Sequence, residues 1–278
     1  EDLQGLITLS YTDPDADLAT TCAITAPTNV TVTQACACAA GVCTVGVTGA
    51  PLNYFGPASF AYTVTAAGQP SNSATATLTI NPVNDAPVAN PNTYDFIGNT
   101  ELRVALPAGP TPNTPASTNP LANDTDLVEG NAFTVSSITV GGCTDNVAPL
   151  TCFDAGVGTV NMNADGSFSF VPVAGDVNTS ESFLYRITDN GTPTPATSAN
   201  AVITMNRSDR AWYVNNAAAA GGDGTSATPF DTLVEAQTAS LVNDTIFVYF
   251  GNGTSSGMSA GIVLKNGQRL LGEHLGLS

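Results

Sequence analysis

Positive charge is almost absent from this sequence. Six Lys and Arg residues stand against 23 Asp and Glu residues, which gives a net charge of −17 over 278 residues, and the first basic residue is Arg103. Nucleic-acid phosphates and anionic membrane surfaces would repel such a chain. We therefore expect no nucleic-acid partner and no direct membrane insertion. Divalent cations are the natural counter-charge, and the alternative is that acidity only keeps an extracellular protein soluble.

Long apolar runs and catalytic signatures are also missing. The chain has no apolar run of membrane-spanning length and no charged-then-apolar leader at Glu1, so we expect a soluble chain with any secretion signal or anchor outside it. The one histidine, His274, follows Glu273 in a turn-like context that is poor for a general base. No Gly-x-Ser-x-Gly elbow, phosphate loop or His-based metal motif occurs. These absences predict that the chain is not an enzyme.

Helical patterns are rare, and one β pattern repeats. Only a stretch near residue 230 reads as an amphipathic helix, whereas Gly and Pro interrupt β-favouring residues throughout. Residues 59–80 and 182–205 both begin Ser-Phe-x-Tyr and continue through a Gly-containing turn into a second alternating strand. A repeat at this scale indicates an all-β chain built by reuse of one module.

The sequence divides into three segments, residues 1–86, 87–207 and 208–278. In the first, short strands are expected at 20–26, 29–37, 42–48, 59–66 and 73–80, a spacing that suits a Greek-key sandwich. The second begins with a Pro- and Asn-rich stretch through 120, read as one strand and a long loop. It continues through the strand Ala132–Val140 and a tight Asp-Gly turn into the strand Phe168–Val171.

The third segment has a different pattern. A helix is predicted over Pro229–Ala236, with the proline near its first turn. Strands are predicted at Asp244–Phe250, Ile262–Leu264 and Leu270–Leu271. No tight hairpin signal joins these strands, and this favours parallel coils.

The cysteines indicate disulfides and an oxidising compartment. Cys22 and Cys36 are symmetric about Asn29, so an antiparallel hairpin would place them opposite each other, and Cys38 and Cys43 flank Ala39–Val42 in the same way. A zinc site would need four convergent ligands, and no second pair or nearby histidine is present. We predict the disulfides Cys22–Cys36, Cys38–Cys43 and Cys143–Cys152.

Acidic residues cluster in two turns. Asp13, Asp15 and Asp17 alternate in a Pro-containing turn, a spacing that can aim several carboxylates at one Ca²⁺, and Asp124 and Asp126 form a smaller set. Such residues also cap turns through hydrogen bonds to their own backbone, which is the alternative interpretation.

Several short motifs carry a family resemblance. They are Glu1-Asp2, the acidic turn Asp13–Asp17, Asn53-Tyr54-Phe55-Gly56, Phe60-Ala61-Tyr62 and Asn84-Asp85-Ala86-Pro87. In these motifs the first two segments resemble the cadherin-like, immunoglobulin-like repeats of large bacterial surface adhesins. The resemblance implies two β-sandwiches in tandem. It also implies that Glu1 and Asp2 complete the calcium shell of the first acidic turn, and that Asn84 and Asp85 contribute to the second. The second segment lacks the Glu-Asp pair, and the first has Ala66-Ala67-Gly68 where the second has Asp189-Asn190-Gly191.

The third segment resembles another family. Asp223-Gly224-Thr225 and Pro229-Phe230 are similar to the entry of a right-handed parallel β-helix of the pectate-lyase-like superfamily. The resemblance implies a capped, truncated β-helix segment that follows the two sandwiches.

Together these features predict a non-catalytic stalk or adhesive segment of a secreted bacterial cell-surface protein, extracellular and rigidified by calcium and disulfides. Its expected partners are neighbouring domains of the same large protein, with a glycan, a protein receptor or self-association as further options. One alternative is the accessory region of a β-helix enzyme that acts on polysaccharides, with Lys265 and Arg269 as its basic groups. Another is a self-assembling extracellular filament subunit, whose unpaired backbone before Glu1 and after Ser278 would accept strands.

Overall fold

A computed structural model describes residues 1–109, 112–126, 128 and 130–273, and over these residues the fold is all-β apart from one short α-helix and one 3-10 turn. The chain forms two compact units, Glu1–Asp85 with Thr192–Thr194, and Ala86–Gly191 with Pro195–Ser278. His274 lies outside the described residues.

The first unit is a sandwich of two antiparallel sheets. Its strands are β1 (Gly5–Leu9), β2 (Ala19–Thr28), β3 (Val30–Ala39), β4 (Val42–Gly49), β5 (Gly56–Ala66), β6 (Gln69–Pro70) and β7 (Ala74–Ile80). One sheet has the order β1-β4-β3, and in the other the central strand β5 pairs with β2, β6 and β7. Side chains alternate along β5 between the core and the surface, and Phe60 and Val64 are among those buried.

The hairpin predicted around Asn29 is wrong. Strand β2 pairs with β5, and β3 pairs with β4, so the chain crosses from one sheet to the other at this point. Ala26 and Asn29 adopt positive φ values of 47° and 58°, and these two bends redirect the backbone. The strands themselves lie close to their predicted positions.

The second unit contains a larger sandwich. Its strands are β8 (Asn92–Gly98), β9 (Glu101–Val104), β10 (Asn113–Ala116), β11 (Phe133–Val140), β12 (Cys143–Asp145), β13 (Leu150–Asp154), β14 (Gly158–Met162), β15 (Phe168–Pro172), β16 (Ser180–Asp189), β17 (Ala201–Val214), β18 (Thr245–Val248) and β19 (Arg269–Gly272). One sheet has the order β10-β9-β15-β14-β13, and the other has the order β12-β11-β16-β17-β18-β19, with β8 also paired to β17. A 3-10 turn spans Pro120–Asn123.

Three strands, rather than the predicted single strand, occupy the Pro- and Asn-rich stretch through residue 120. Strands β8 and β9 meet at a tight turn in which Asn99 is buried with φ 64°. Within the described part of the chain, the short strand β10 pairs only with β9, and its Pro115 is compatible with an edge position. Edge strands tolerate proline, so a strand in this position can have the Pro-rich composition that is typical of a loop.

Strand β17 continues from the sandwich into a parallel sheet. It pairs antiparallel with β16 over 201–206 and parallel with β18 over 211–214, and β18 in turn pairs parallel with β19. The parallel pairing predicted for the tail is therefore confirmed. The boundary predicted between residues 207 and 208 lies within β17, and the division into three domains stays a prediction.

Two details of the predicted tail need correction. The helix α1 spans Leu233–Ala239, and it begins after Thr232 because that residue and Glu235 form a capping box. Ile262–Leu264 form no strand. The backbone N–H of Val263 donates instead to the side chain of Gln237 at 2.6 Å.

Candidate metal centre

Three predicted ligands converge in the first unit. One carboxylate oxygen from each of Glu1, Asp2 and Asp85 lies within 4.8 Å of the others. Glu1 and Asp2 precede strand β1, whereas Asp85 follows β7, so the sandwich brings the two ends of the unit together. Glu1 and Asp85 are half-buried and Asp2 is exposed. Carboxylate oxygens are the ligands that Ca²⁺ prefers, so this donor set fits the predicted ion.

Local charge favours a cation at this cluster. Residues 1–85 contain no Lys or Arg, so no basic side chain of this stretch neutralises the three carboxylates. Like charges at such short separation repel one another, and the repulsion is stronger where the groups are partly removed from water. A divalent cation bound between the three carboxylates would replace their mutual repulsion by attraction to the ion.

Asn84 belongs to the same linker motif. Its side-chain Nδ2 donates to the backbone oxygen of Thr194 at 3.1 Å, and both residues belong to the first unit. This hydrogen bond therefore anchors the backbone directly before Asp85. Its role as a calcium ligand stays a prediction.

The acidic turn at residues 13–17 is organised differently. The Oδ1 atom of Asp13 accepts hydrogen bonds from the backbone N–H groups of Asp15, at 2.9 Å, and of Asp17, at 3.2 Å. Asp15 and Asp17 are exposed, and the turn closes through a bond from Ala16 N to Asp13 O. Among the described residues, these three carboxylates are not gathered within ligand distance of one another. This geometry favours the turn-capping interpretation.

Asp124 is part of a buried hydrogen-bond network. It accepts from the Asn90 backbone N–H at 2.7 Å and from the Tyr185 hydroxyl at 2.9 and 3.0 Å. Burial raises the pKa of Asp124, although both hydrogen bonds oppose the shift. Burial and the Asp124 carboxylate also raise the pKa of Tyr94 to about 12, and the same two causes raise the pKa of Tyr185. Asp124 thus has structural partners for its carboxylate.

Asp126 differs from Asp124 in one respect. Its Oδ2 atom is buried and has no hydrogen-bond partner in the described part of the chain. A buried carboxylate oxygen without a partner is costly unless a cation or a water molecule satisfies it. Of the two acidic residues in this turn, Asp126 is therefore the better candidate ligand.

The three predicted disulfides are present in the structure. Cys22–Cys36, Cys38–Cys43 and Cys143–Cys152 have Cα separations of 5.8, 3.9 and 5.6 Å. The first and third connect strands of opposite sheets, whereas the second closes the β3–β4 hairpin. Cys22, Cys38 and Cys43 also lie close together, but their bonding as disulfides leaves no thiolate for a metal.

The basic residues considered for a lyase are engaged in local contacts. Lys265 Nζ donates to the backbone oxygens of Gln237 and Ser240, and Arg269 pairs with Asp209. A buried ion pair between Arg210 and Asp244 is not among the features expected from the sequence. In the sequence, the pair is visible only as two charged residues, Arg210 and Asp244, that each directly precede a mainly apolar stretch.

The middle of the chain resembles a known family of domains. Residues 84–207 match the family of bacterial cadherin-like domains. The matched region contains strands β8 to β16 and ends inside β17. No curated protein matches the chain. Over the described residues, no helix is long and apolar enough to cross a membrane.

Solved structures of low similarity were also found. Human protocadherin-24 EC1-2 has 15% identity and a TM-score of 0.39, covering 73% of this chain and 87% of its own. The protocadherin gamma B2 domains 1-5 have 17% identity and a TM-score of 0.36, with coverage of 76% and 41%. An endo-fucoidan hydrolase of glycoside hydrolase family 107, MfFcnA4, has 16% identity and a TM-score of 0.24, with coverage of 74% and 26%. At these TM-scores the likenesses add nothing to the family match, and none of them supports a β-helix.

Proposed function

We propose that the chain is a non-catalytic adhesive or stalk segment of a secreted bacterial cell-surface protein, in which bound calcium rigidifies the cadherin-like sandwiches. The observation that carries this proposal is the convergence of Glu1, Asp2 and Asp85 in a unit without basic residues. The match of residues 84–207 to bacterial cadherin-like domains supports it, as does the buried Asp126 oxygen.

The disulfides support the extracellular location. Three bonds leave no free cysteine among the described residues, and such bonds persist in oxidising compartments rather than in the cytosol. Neighbouring domains of the same protein are the expected partners, and a glycan, a protein receptor or a second copy would be the adhesive target.

Calcium titration of the full chain by isothermal calorimetry tests the proposal. Asp85→Asn removes one charge from the cluster and should abolish the tightest binding event, whereas Asp15→Asn changes only the exposed turn and should leave it intact. Calcium at a hundred times its dissociation constant should stabilise the wild type by about 2.7 kcal/mol. Equal titration curves for both variants would contradict the assignment of the site.

Adhesion requires its own measurement. Beads coated with the chain should aggregate, or bind a bacterial or host surface, in calcium and disperse in chelator. Calcium-dependent binding by the wild type that is lost in Asp85→Asn would support an adhesive role. Beads that remain dispersed on every surface would leave a stalk as the better description.

The parallel pairing of β17, β18 and β19 favours a second candidate function. In this candidate, residues 208–278 begin a β-helix, and the sandwiches are the accessory region of an enzyme that acts on polysaccharides. The gene sequence after Ser278 discriminates between the two. Further parallel coils with clustered Asp, Lys and Arg on one face would favour the enzyme, and further cadherin-like repeats would favour the adhesin.

A further inference from the structure

Three sulfur atoms from two different disulfides lie together in the first unit. The Sγ atoms of Cys22, Cys38 and Cys43 are all within 4.8 Å of one another. Cys22 is bonded to Cys36, whereas Cys38 is bonded to Cys43. A disulfide exchanges when the thiolate of a third group attacks one of its sulfur atoms. In this unit a third sulfur, that of Cys22, is already beside the Cys38–Cys43 bond.

The fold explains why these sulfur atoms meet. Cys38 and Cys43 pair in register across the hairpin of β3 and β4, and Cys22 lies in β2, which belongs to the opposite sheet. All three pack against the apolar core of the unit. Cys43 is completely buried, whereas Cys22, Cys36 and Cys38 are half-buried. Small side-chain movements within a fixed framework, rather than unfolding, are therefore enough to bring Cys22 against Cys43.

We propose that Cys22, Cys38 and Cys43 form a thiol–disulfide exchange site. In the exchange step, a thiolate at Cys22 attacks the Sγ atom of Cys43, so the Cys22–Cys43 bond forms and the Cys38–Cys43 bond breaks. The electron pair of the broken bond stays with Cys38, which leaves as a thiolate and takes a proton from water. One disulfide and one thiolate enter the step and one of each leaves it, so no oxidant or reductant is consumed. This inference does not depend on calcium or on the adhesive role.

Burial determines which sulfur leaves. A thiolate is more stable where water solvates it, so the half-buried Cys38 is a better leaving group than the completely buried Cys43. Attack of Cys22 on Cys43 is therefore favoured over its attack on Cys38. The burial of Cys43 also shields its sulfur from thiols in solution, so the internal thiolate is the one that reaches it.

An external thiol starts the exchange at the Cys22–Cys36 bond, whose two cysteines are half-buried. Its thiolate attacks Cys36, forms a mixed disulfide there and releases Cys22 as the thiolate that the internal step requires. Residues 1–85 contain Asp and Glu but no Lys or Arg, so a cationic thiol is attracted to this unit and an anionic thiol is repelled. A small cationic thiol is thus the expected reactant.

The exchange keeps the two sheets of the first unit connected. Cys22–Cys36 joins β2 to β3, and Cys22–Cys43 joins β2 to β4, which is in the same sheet as β3. A thiol that would otherwise cut the link between the sheets therefore only moves it by one strand. The Cys143–Cys152 bond cannot be replaced in this way, because the second unit has no further cysteine.

A single substitution tests the internal step without an external thiol. Cys36→Ser leaves Cys22 as a free thiol beside the Cys38–Cys43 bond. The full chain is incubated at mildly alkaline pH, where thiolates form, then quenched with acid, alkylated with a maleimide and mapped by mass spectrometry. We expect the alkyl group to be lost from Cys22 and found mainly at Cys38, together with a Cys22–Cys43 peptide.

Cys152→Ser is the matched control. It leaves Cys143, which is half-buried like Cys22, as a free thiol in a unit without a further disulfide. The alkyl group should therefore remain at Cys143. Dilution supplies a second control, because an internal exchange has a rate that does not depend on protein concentration.

The wild type provides a test that needs no substitution. Brief treatment with cysteamine, a cationic thiol, should give the Cys22–Cys43 peptide together with a cysteamine adduct at Cys36. Mercaptoacetate, an anionic thiol, should react more slowly at low salt, and the difference between the two thiols should shrink as salt is added. At Cys143 and Cys152, cysteamine should give only adducts or free thiols.

Four results would overturn the proposal. In Cys36→Ser, they are an alkyl group that remains at Cys22, a rate that rises with protein concentration, or a thiol that spreads to Cys143 and Cys152. In the wild type, the contrary result is opening of the Cys22–Cys36 bond by cysteamine without any Cys22–Cys43 peptide. This last measurement decides the question if Cys36→Ser does not fold.

Discussion

The side chains of Arg210 and Asp244 form a buried ion pair in the second unit, with arginine Nη2 2.9 Å from aspartate Oδ2 and each side chain 7% exposed. Arg210 lies in β17, and Asp244 directly precedes β18. The same carboxylate accepts from the indole Nε1 of Trp212 at 2.9 Å and from the backbone N–H of Leu241 at 2.7 Å. Arg210 also donates to the backbone oxygens of Gly175 and Asp176, so the ion pair connects the loop between β15 and β16 to the parallel sheet.

Removing this cation should destabilise the second unit strongly. Arg210→Met keeps much of the side-chain volume but leaves Asp244 as a buried charge without its partner, and the expected loss is about 3–5 kcal/mol in denaturant unfolding. Arg269→Met is the matched control, because its pair with Asp209 is more accessible and Arg269 is 56% exposed. That control should cost less than about 1 kcal/mol. Similar losses for the two variants would contradict the structural role of Arg210.

The pH dependence of stability should report on Asp124. Because burial raises its pKa above the ordinary value of 3.8, the stability contributed by this group is fully present below that value and declines as pH rises through the raised pKa. Asp124→Asn does not titrate. The stability of the wild type relative to this variant should therefore increase as pH falls from about 7 to about 4.

Asp145 provides the control for this measurement. Hydrogen bonds from the backbone N–H groups of Thr151 and Val147 lower the pKa of Asp145. Its contribution is therefore present above the ordinary value and is lost as pH falls through the lowered one. Relative to Asp145→Asn, the wild type should lose stability over the acidic part of the same titration. Equal signs for the two variants would refute the burial argument.

The repeated tyrosines should differ in their contributions to stability. Tyr62 donates its hydroxyl to Ser10 O at 2.7 Å, whereas Tyr185 contacts both Asn90 O and the buried Asp124 carboxylate. Tyr62→Phe should cost about 0.5–1.5 kcal/mol, the usual net value of one hydrogen bond. Tyr185→Phe also removes a donor from a buried carboxylate, and about 1–3 kcal/mol is expected. Residue-specific hydrogen exchange would measure both, and a smaller loss for Tyr185→Phe would be the contrary result.

Much of the strand layout could be predicted because alternation and turn residues act locally. Strand β5 alternates between core and surface along its length, and the Asp165-Gly166 turn forms the predicted hairpin between β14 and β15. Sheet membership could not be predicted in the same way. Positive φ values at Ala26 and Asn29 send β3 to the opposite sheet, although the local pattern there indicates a hairpin.

The candidate metal centre was predictable only in part, for a related reason. Glu1, Asp2 and Asp85 come together because the sandwich brings the start and the end of the first unit close in space. The resemblance to a family indicated each of them, but it grouped Glu1 and Asp2 with the acidic turn at residues 13–17 and Asp85 with Asp124 and Asp126. The local spacing of acidic residues favoured Asp13, Asp15 and Asp17 instead. The spacing of acidic residues within a turn does not reveal whether backbone N–H groups of that turn already donate hydrogen bonds to one of the carboxylates. In this turn they donate to Asp13.

The continuity of strand β17 has a mechanical meaning. Its first residues are hydrogen-bonded to β16 in the sandwich, and its last residues are hydrogen-bonded to β18 in the parallel sheet. Tension applied to the parallel sheet would pass along a single extended backbone into the sandwich, without a flexible joint to absorb it. The two parts should therefore unfold under load as one element. A cut or an insertion at residue 207 would break this continuous backbone and uncouple them.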